Sequence, residues 1–494
     1  MSVTTPEWVK DAIFYQIFPD RFARSARTSA SLHFEPWDAP PTFHGFKGGD
    51  LFGIVERLDY LHDLGITAIY LNPIFQSTAN HRYHTFDYFQ VDPILGGHEG
   101  FRALLDAAHA RGIRVILDGV FNHASRGFFQ FNHLLENGPS SPYREWFTVR
   151  GFPLHAYEED RPPNYEAWWN LHALPKFNHH NPQVREFLWK VGEHWVREGI
   201  DGWRLDVPGE ITVPGFWEEF RRRVKALNPD AYLVGEIWHD ADEWLRGDRF
   251  DAVMNYPLTR ACLGFFAGER LDASLVEGVG YAPVPHLDAR GFAHEVDRLL
   301  ARHPWEITLA QLNLLDSHDT ARFLSIARGD TTALKLALLF LMVYPGVPCI
   351  YYGDEIGMEG GRDPDCRRAF PWDRPEMWNH DVREWFRACI ALRKRFPALR
   401  RGAYHTLHAD GCVYACGRHD ERDVVVAAFN VGPTTARVTL DVSALPLATG
   451  ARLHGLLGGE GGSSVDPQGQ LHVELSPRSA RVLAGKVAAE ETTR

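Results

Sequence analysis

The chain has 494 residues, with 52 basic against 64 acidic side chains and a net charge of −12. That balance argues against a nucleic-acid binder, which carries a basic excess, and 45% hydrophobic with 23% charged residues exclude a disordered chain. At this length about three quarters of the extended-chain surface can be buried, so a core needs neither disulfides nor metals.

Six cysteines are too sparse for a disulfide framework and read as reduced thiols. The opening MSVTTPEWVKDAIFY has no basic stretch ahead of an apolar one, so no secretory signal is expected. The most apolar run, 336–344, stops at Pro345 and is far shorter than the ~20 residues that cross a bilayer. A soluble, cytoplasmic protein is the expectation. Aromatics at 13% suit a sugar-binding surface, although a large core uses them too.

In chain order, eight short apolar runs alternate with helical periodicity. They are AIFYQI (12–17), ITAIYLNP (66–73), IRVILDGV (113–120), IDGWRLDV (200–207), AYLVGEIW (231–238), FDAVMNY (250–256), TLAQLNLLDSHD (308–319) and VPCIYYGDE (347–355). Between them, Phe101, Leu104, Leu105 and Ala108 repeat at helical spacing, as do Val184, Phe187, Leu188, Val191 and Trp195. Buried runs alternating with helices predict a parallel sheet, and eight of them an α/β fold of the (β/α)8 barrel type.

After the third run, 121–180 loses periodicity and is rich in Asn, Pro, His and aromatics, which predicts an inserted subdomain. Trp168, Trp169, Tyr165 and Phe177 there could stack on sugar rings or pack the insertion. Beyond Phe396-Pro397 the pattern alternates and turns, predicting a small antiparallel β-sandwich. The expected organisation is barrel over 1–120 and 181–398, insertion over 121–180, and sandwich over 399–494. The Gly-rich GLLGGEGGSS (455–464) reads as a flexible loop, since no βαβ unit surrounds it, and the last residues are expected to fray.

Catalytic groups of a barrel sit where strands end on one face. The third run ends with Asp118, Asn122 and His123, the fourth with Arg204 and Asp206, the fifth with Glu236 and Trp238, and the seventh with His318 and Asp319. Like charges gathered in one pocket are costly unless pairing or function demands them. Two carboxyl groups and a third fit glycoside cleavage by retention: an ionised nucleophile and a protonated acid about 5 Å apart. Arg204, two residues before Asp206, can keep that carboxylate charged. Glu236, among Leu233, Val234 and Ile237, suits an acid raised by apolar neighbours and nearby negative charge.

DGVFNH (118–123), DGWRLDVPGE (201–210), LVGEIWHDA (233–241) and LLDSHDTARF (314–323), in this order, resemble the conserved regions of the α-amylase superfamily of glycoside hydrolases. LPKFN (174–178), EIWHDADEWLRGDRFDAVMNYP (236–257) and RDPDCRR (362–368) are similar to its neopullulanase, cyclomaltodextrinase and maltogenic amylase group. The resemblance implies Asp206 as nucleophile, Glu236 as general acid/base and Asp319 as transition-state stabiliser. It further implies Tyr83, His123, Arg204 and His318 as sugar contacts, with Trp238 and Glu210 also at the substrate. Asp363 and Arg367 are implied as a clamp on the next sugar, the alternative being a local i,i+4 ion pair.

The chain departs from the group at Tyr83-His84-Thr85, where members read YDT, and at Val207-Pro208-Gly209-Glu210, where they read VANE. Members begin with an extra β-sandwich module, whereas only about eleven residues precede the first run here; no module-mediated dimer is expected. Many relatives bind calcium, but ARSARTSASLHF (23–34) lacks the Asn/Asp cluster of a calcium loop, although Gly49 and Asp50 remain. His81-x-x-His84 and His179-His180 have no further ligands at zinc spacing. No metal or cofactor is expected.

The function implied is hydrolysis of α-1,4-glucosidic bonds in maltooligosaccharides and cyclodextrins, extending to pullulan or starch, with some transglycosylation. Alternatives are an α-glucosidase or a glucosyl transferase or isomerase on the same scaffold, or a non-catalytic binding barrel. The joint presence of Asp206, Glu236 and Asp319 argues against the last.

Overall fold

The structure, a computed structural model, describes residues 3–27, 32–158, 160–459 and 461–488. All eight expected runs form strands: β1 (Phe14–Ile17), β2 (Ala68–Leu71), β3 (Arg114–Gly119), β4 (Gly202–Leu205), β5 (Tyr232–Gly235), β6 (Ala252–Val253), β7 (Leu312–Leu314) and β8 (Val347–Tyr351). They lie in one sheet in the order β6-β5-β4-β3-β2-β1-β8-β7, the cyclic order of a (β/α)8 barrel. Past the end of β6, the amide of Asn255 donates to Leu312 O at 2.8 Å, and Asn255 Nδ2 to Asn313 Oδ1 at 2.8 Å.

These strands are largely apolar because both faces are covered. β1, β2, β4, β5 and β8 are buried at every position. The helix Pro182–Arg197 starts where the sequence puts its signals: Pro182 opens it and the Asn181 side chain accepts from Gln183 N. Its apolar stripe, Val184, Leu188, Val191 and Trp195, is buried.

The chain divides into two compact units: Met1–Glu7, Phe14–Met254 and Asp363–Pro375 form one, and Trp8–Ile13, Asn255–Arg362 and Glu376–Arg494 the other. In the first, residues 121–180 carry one longer helix, Phe129–Asn137, and isolated bridges such as His123 with Lys176 and Phe147 with Phe177. Phe128, Phe131, Phe147, Tyr165 and Phe177 form their core. Tyr165 and Phe177 therefore pack the segment instead of facing a ligand, whereas Trp169 is 76% exposed.

In the second unit, β9 (Ala403–Asp410), β10 (Val413–His419), β11 (Asp423–Asn430), β12 (Ala436–Asp441), β13 (Arg452–Leu457), β14 (Gly462–Ser464), β15 (Gln470–Leu475) and β16 (Ser479–Lys486) follow. Six form one antiparallel sheet and β12 pairs with β15 in a second, with Val426, Leu440, Leu453, Leu471 and Leu483 sharing a core. The Gly-rich segment 455–464 is no free loop. It closes the β13–β14 hairpin, where Gly458 at φ +78° would meet Ala480 O at 1.8 Å if it carried a Cβ. The expected fraying of the tail falls on residues 489–494, outside the described residues.

Candidate active site

The parallel register sets Asp118 of β3 beside Arg204 of β4. The ladder continues past the strand ends: Asp206 N donates to Gly119 O and Glu236 N to Leu205 O, each at 3.0 Å. Three successive strands thus deliver Asp118, Asp206 and Glu236 to one buried guanidinium. Arg204 Nη1 lies 3.0 Å from Asp118 Oδ1 and 3.0 Å from Asp206 Oδ1, and Nη2 lies 3.1 Å from Glu236 Oε2. Burial alone would weaken the hold of Arg204 on its proton; the carboxylates of Asp118 and Glu236 outweigh it and keep the guanidinium charged far above its usual range. Arg204 Nε donates to the Met254 sulfur at 3.4 Å.

Asp118 is spoken for. Its Oδ2 accepts from Tyr70 OH at 2.7 Å and from Tyr83 OH at 2.8 Å, and Tyr83 OH accepts from Asn72 Nδ2 at 3.1 Å. Burial first, then the Asp118 carboxylate, pushes the Tyr70 hydroxyl well up, so it stays a donor. Glu236 is buried, but its surroundings are not the apolar ones expected. Oε1 accepts from Trp238 Nε1 at 3.0 Å and Oε2 from Val207 N at 3.0 Å. Three carboxylates thus meet one guanidinium.

The Val207 amide reaches Glu236 because residue 207 is left-handed, at φ +34° and ψ +51°. A β-branched residue rarely adopts that conformation, and such strain gathers at functional sites.

His123 is buried and neutral: burial above all lowers its pKa to about 3. Its Nε2 donates to Tyr83 O at 3.2 Å, so Nδ1 accepts from Asn122 Nδ2 at 3.3 Å. The ring stacks on Trp168 at 5.3 Å, and Trp168 stacks on Trp169 at 4.2 Å. Both faces of Trp168 are covered, which leaves the outer face of Trp169 as the open end of the ladder. Trp169 and Asn170 both have positive φ, +52° and +57°, which turns the indole onto its neighbour.

Glu210 pairs with Lys176 at 3.1 Å. Asp363 and Arg367 form an i,i+4 ion pair at 2.9 Å, with Arg367 over the Phe18 ring at 5.3 Å. In the other unit, His318 is buried and its Nε2 lies 3.0 Å from Asp319 Oδ2, whose side chain is 32% exposed. Asp319 N donates to Ser317 Oγ and Ser317 N to Thr320 Oγ1, so the turn is laced internally. Tyr70 and Asn72 are missing from the sequence reading, and Asp118 appears there only as a strand end. Each sits at the end of β2 or β3, and YLNP and DGV place them there.

The residues around Asp50 do not fit calcium. Asp50 Oδ2 accepts from Ser25 N and Oγ, and Oδ1 caps the helix Leu51–Glu56 through Gly53 N at 2.7 Å. An ammonium already fills the neighbouring oxygen nest: Lys47 Nζ donates to Pro36 O and Ala39 O, both at 2.7 Å, and lies 3.4 Å from Glu35 Oε2. Among the described residues no group of three or more His, Cys, Asp or Glu gathers as a metal site.

A parallel barrel whose third, fourth and fifth strands deliver carboxylates to one arginine has the paired acids that glycoside hydrolases use. The chain matches the family Alpha-amylase (alpha amylase, catalytic domain) over residues 16–389, and it belongs to that family. It is 46% identical over 461 residues to a cyclomaltodextrinase of Geobacillus thermopakistaniensis, covering 92% of this chain and 74% of that one. It is 42% identical over 492 residues to neopullulanase 2 of Thermoactinomyces vulgaris, covering 97% and 78%. The solved structure of a debranching enzyme from Nostoc punctiforme is 48% identical with a TM-score of 0.89, covering 98% of this chain and 100% of that one.

Proposed function

We propose that this enzyme hydrolyses α-1,4-glucosidic bonds in maltooligosaccharides and cyclodextrins with retention of configuration. The observation that carries the reading is Arg204 holding Asp206 and Glu236 together at the ends of β4 and β5. Two carboxyl groups on one guanidinium fit the close pair, about 5 Å apart, of a retaining mechanism. Asp206 attacks the anomeric carbon while Glu236 gives its proton to the leaving oxygen. Water, deprotonated by Glu236, then releases the sugar. Asp319, beside His318, stabilises the oxocarbenium-like transition state. Tyr83, held by Asp118 and Asn72, presents its ring to the sugar, and Asp363 with Arg367 holds the next unit.

The carboxylates need no metal for this chemistry, and the Lys47 ammonium supports a calcium-independent fold. Six free cysteines, five of them buried, suit a reducing cytoplasm, and among the described residues no helix is long and apolar enough to cross a membrane.

A second reading is cleavage of α-1,6 bonds. It is favoured by the likeness to the Nostoc punctiforme debranching enzyme, 48% identical over 98% of this chain. Product profiles on β-cyclodextrin, maltotriose, pullulan and starch decide between them. Pullulan cut at α-1,4 bonds gives panose-type trisaccharides, and cut at α-1,6 bonds gives maltotriose. An NMR time course in which β-anomers appear first overturns retention.

A further inference from the structure

Asp316 and Asp354 are fully buried carboxyl groups with no part in the chemistry above. They follow β7 and β8, which pair in parallel with Leu312 beside Val347 and Leu314 beside Cys349. Asp316 Oδ2 accepts from Phe323 N at 2.6 Å, closing the loop that carries His318 and Asp319. Asp316 makes no ion pair among the described residues, and its Oδ1 is buried with no donor to meet it. Asp354 Oδ1 accepts from Arg322 Nη1 at 2.8 Å. The two carboxyl groups stand close enough to act on one another.

Two carboxylates offer only lone pairs to one another. A bond between them exists only when one carries a proton, and a buried oxygen such as Asp316 Oδ1 is expensive without it. We propose that Asp316 and Asp354 share one retained proton, and that this bond is the positioning device that ties the Asp319-bearing loop to the turn after β8.

The groups facing the pair support retention. Burial above all, then Asp316, raises Asp354 well above the carboxylate range, and burial raises Asp316. Arg322, stacked over Tyr351 at 4.3 Å and Tyr352 at 4.9 Å, is the cation facing the pair, and it works against the proton. Glu355 adds negative charge beside Asp354. Tyr281 and Cys349 border the pair and stay neutral, because burial raises both.

The sign of the pH dependence follows. With a folded-state pKa above the unfolded one, the folded chain holds a proton that the unfolded chain has released. Stability is full below the unfolded value and falls as pH rises toward the folded one. Asp316→Asn and Asp354→Asn keep the shape and place an amide donor in the bond, with no proton to lose.

The experiment is denaturant unfolding of the full chain at pH 5 to 9. The unfolding constant of the wild type, divided by that of either Asn variant, should climb by up to tenfold per pH unit over part of that range. A ratio independent of pH in both variants overturns the proton. The infrared C=O stretch of a buried protonated carboxyl should weaken in the difference between wild type and either variant, and an undiminished band also overturns it.

The effect on turnover rests on the reading of Asp319 as transition-state stabiliser, and is read separately. Asp316→Asn should keep kcat within about twofold at neutral pH, while Asp316→Ala lowers kcat more than tenfold with little change in KM. Equal kcat in the two variants overturns the positioning role while leaving the proton standing. If Asp319→Asn itself keeps wild-type kcat, it is the reading of Asp319 that fails, and the retained proton stands.

Discussion

Arg204 and Arg322 are both fully buried, and both stand against tyrosine rings, 5.8 Å from Tyr70 in one case and 4.3 Å from Tyr351 in the other. Around Arg204 three carboxylates each reach the guanidinium, and two tyrosine hydroxyls complete Asp118. Beside Arg322, Asp354 reaches the cation, whereas Asp316 accepts from the Phe323 amide. The first arrangement shares one positive charge among acids that remain available for chemistry. The second gives its cation to Asp354 and a backbone amide to Asp316, so the same residue types build a support. Carboxylates at strand ends are therefore not equivalent: what separates them is whether each one reaches the shared cation.

The sharpest break in the comparison is chemical. Asp206→Asn and Glu236→Gln should each lower kcat at least about a thousandfold while leaving the fold intact, because one removes the covalent step and the other the leaving-group proton. Retention of more than about a tenth of turnover on an unactivated substrate would remove the assignment. Next comes the shared cation. Arg204→Leu strands three buried carboxylates and should cost about 3–5 kcal/mol of unfolding free energy in denaturant titrations; a loss under about 1 kcal/mol would mean that the acids are screened by something else.

Protonation sharpens it further. Burial above all lowers His179 to about 4, and its Nε2 donates to Phe121 O at 2.9 Å. A depressed folded-state pKa gives stability that is present above the unfolded value near 6.5 and lost as pH falls toward 4. His179→Gln should flatten the fall in Tm between pH 6.5 and 4, and an unchanged slope would show that this histidine is not the group taking up the proton. The smallest effect is at the outer end of the indole ladder. Trp169→Ala should raise KM for longer glucans about fivefold, roughly 1 kcal/mol of stacking, with kcat on maltotriose unchanged. Equal KM values would leave Trp169 without a sugar to hold.

The eight strands were legible because a strand covered on both faces is mostly apolar, and the buried Gln16 of β1 and Arg204 of β4 are carried by polar partners. The sixth shows the limit: a seven-residue run, 250–256, yields only Ala252–Val253 before Asn255 turns to Leu312. The order Asp206, Glu236, Asp319 could be read as motifs, but the wiring could not. Tyr70 looks like another core aromatic, and only the pleat of β2 aims its hydroxyl at Asp118. Glu236 lies between apolar neighbours in sequence and between donors in space, since Trp238 and Val207 fold back onto it. Asp316 and Asp354 are 38 residues apart, and no local pattern announces that β7 and β8 bring them together. The glycines of 455–464 read as slack, yet three of them, Gly458, Gly459 and Gly461, have positive φ and close a hairpin.

Val207 carries a consequence for anyone wishing to toughen this enzyme. A left-handed valine gives up about 1–2 kcal/mol that glycine would recover, so Val207→Gly is the substitution that thermostability screening would reward. The same change would loosen the amide that steadies Glu236. Selection for heat resistance alone would thus trade away turnover at this one residue, and a natural chain that keeps valine here has been held to its task by activity rather than by endurance.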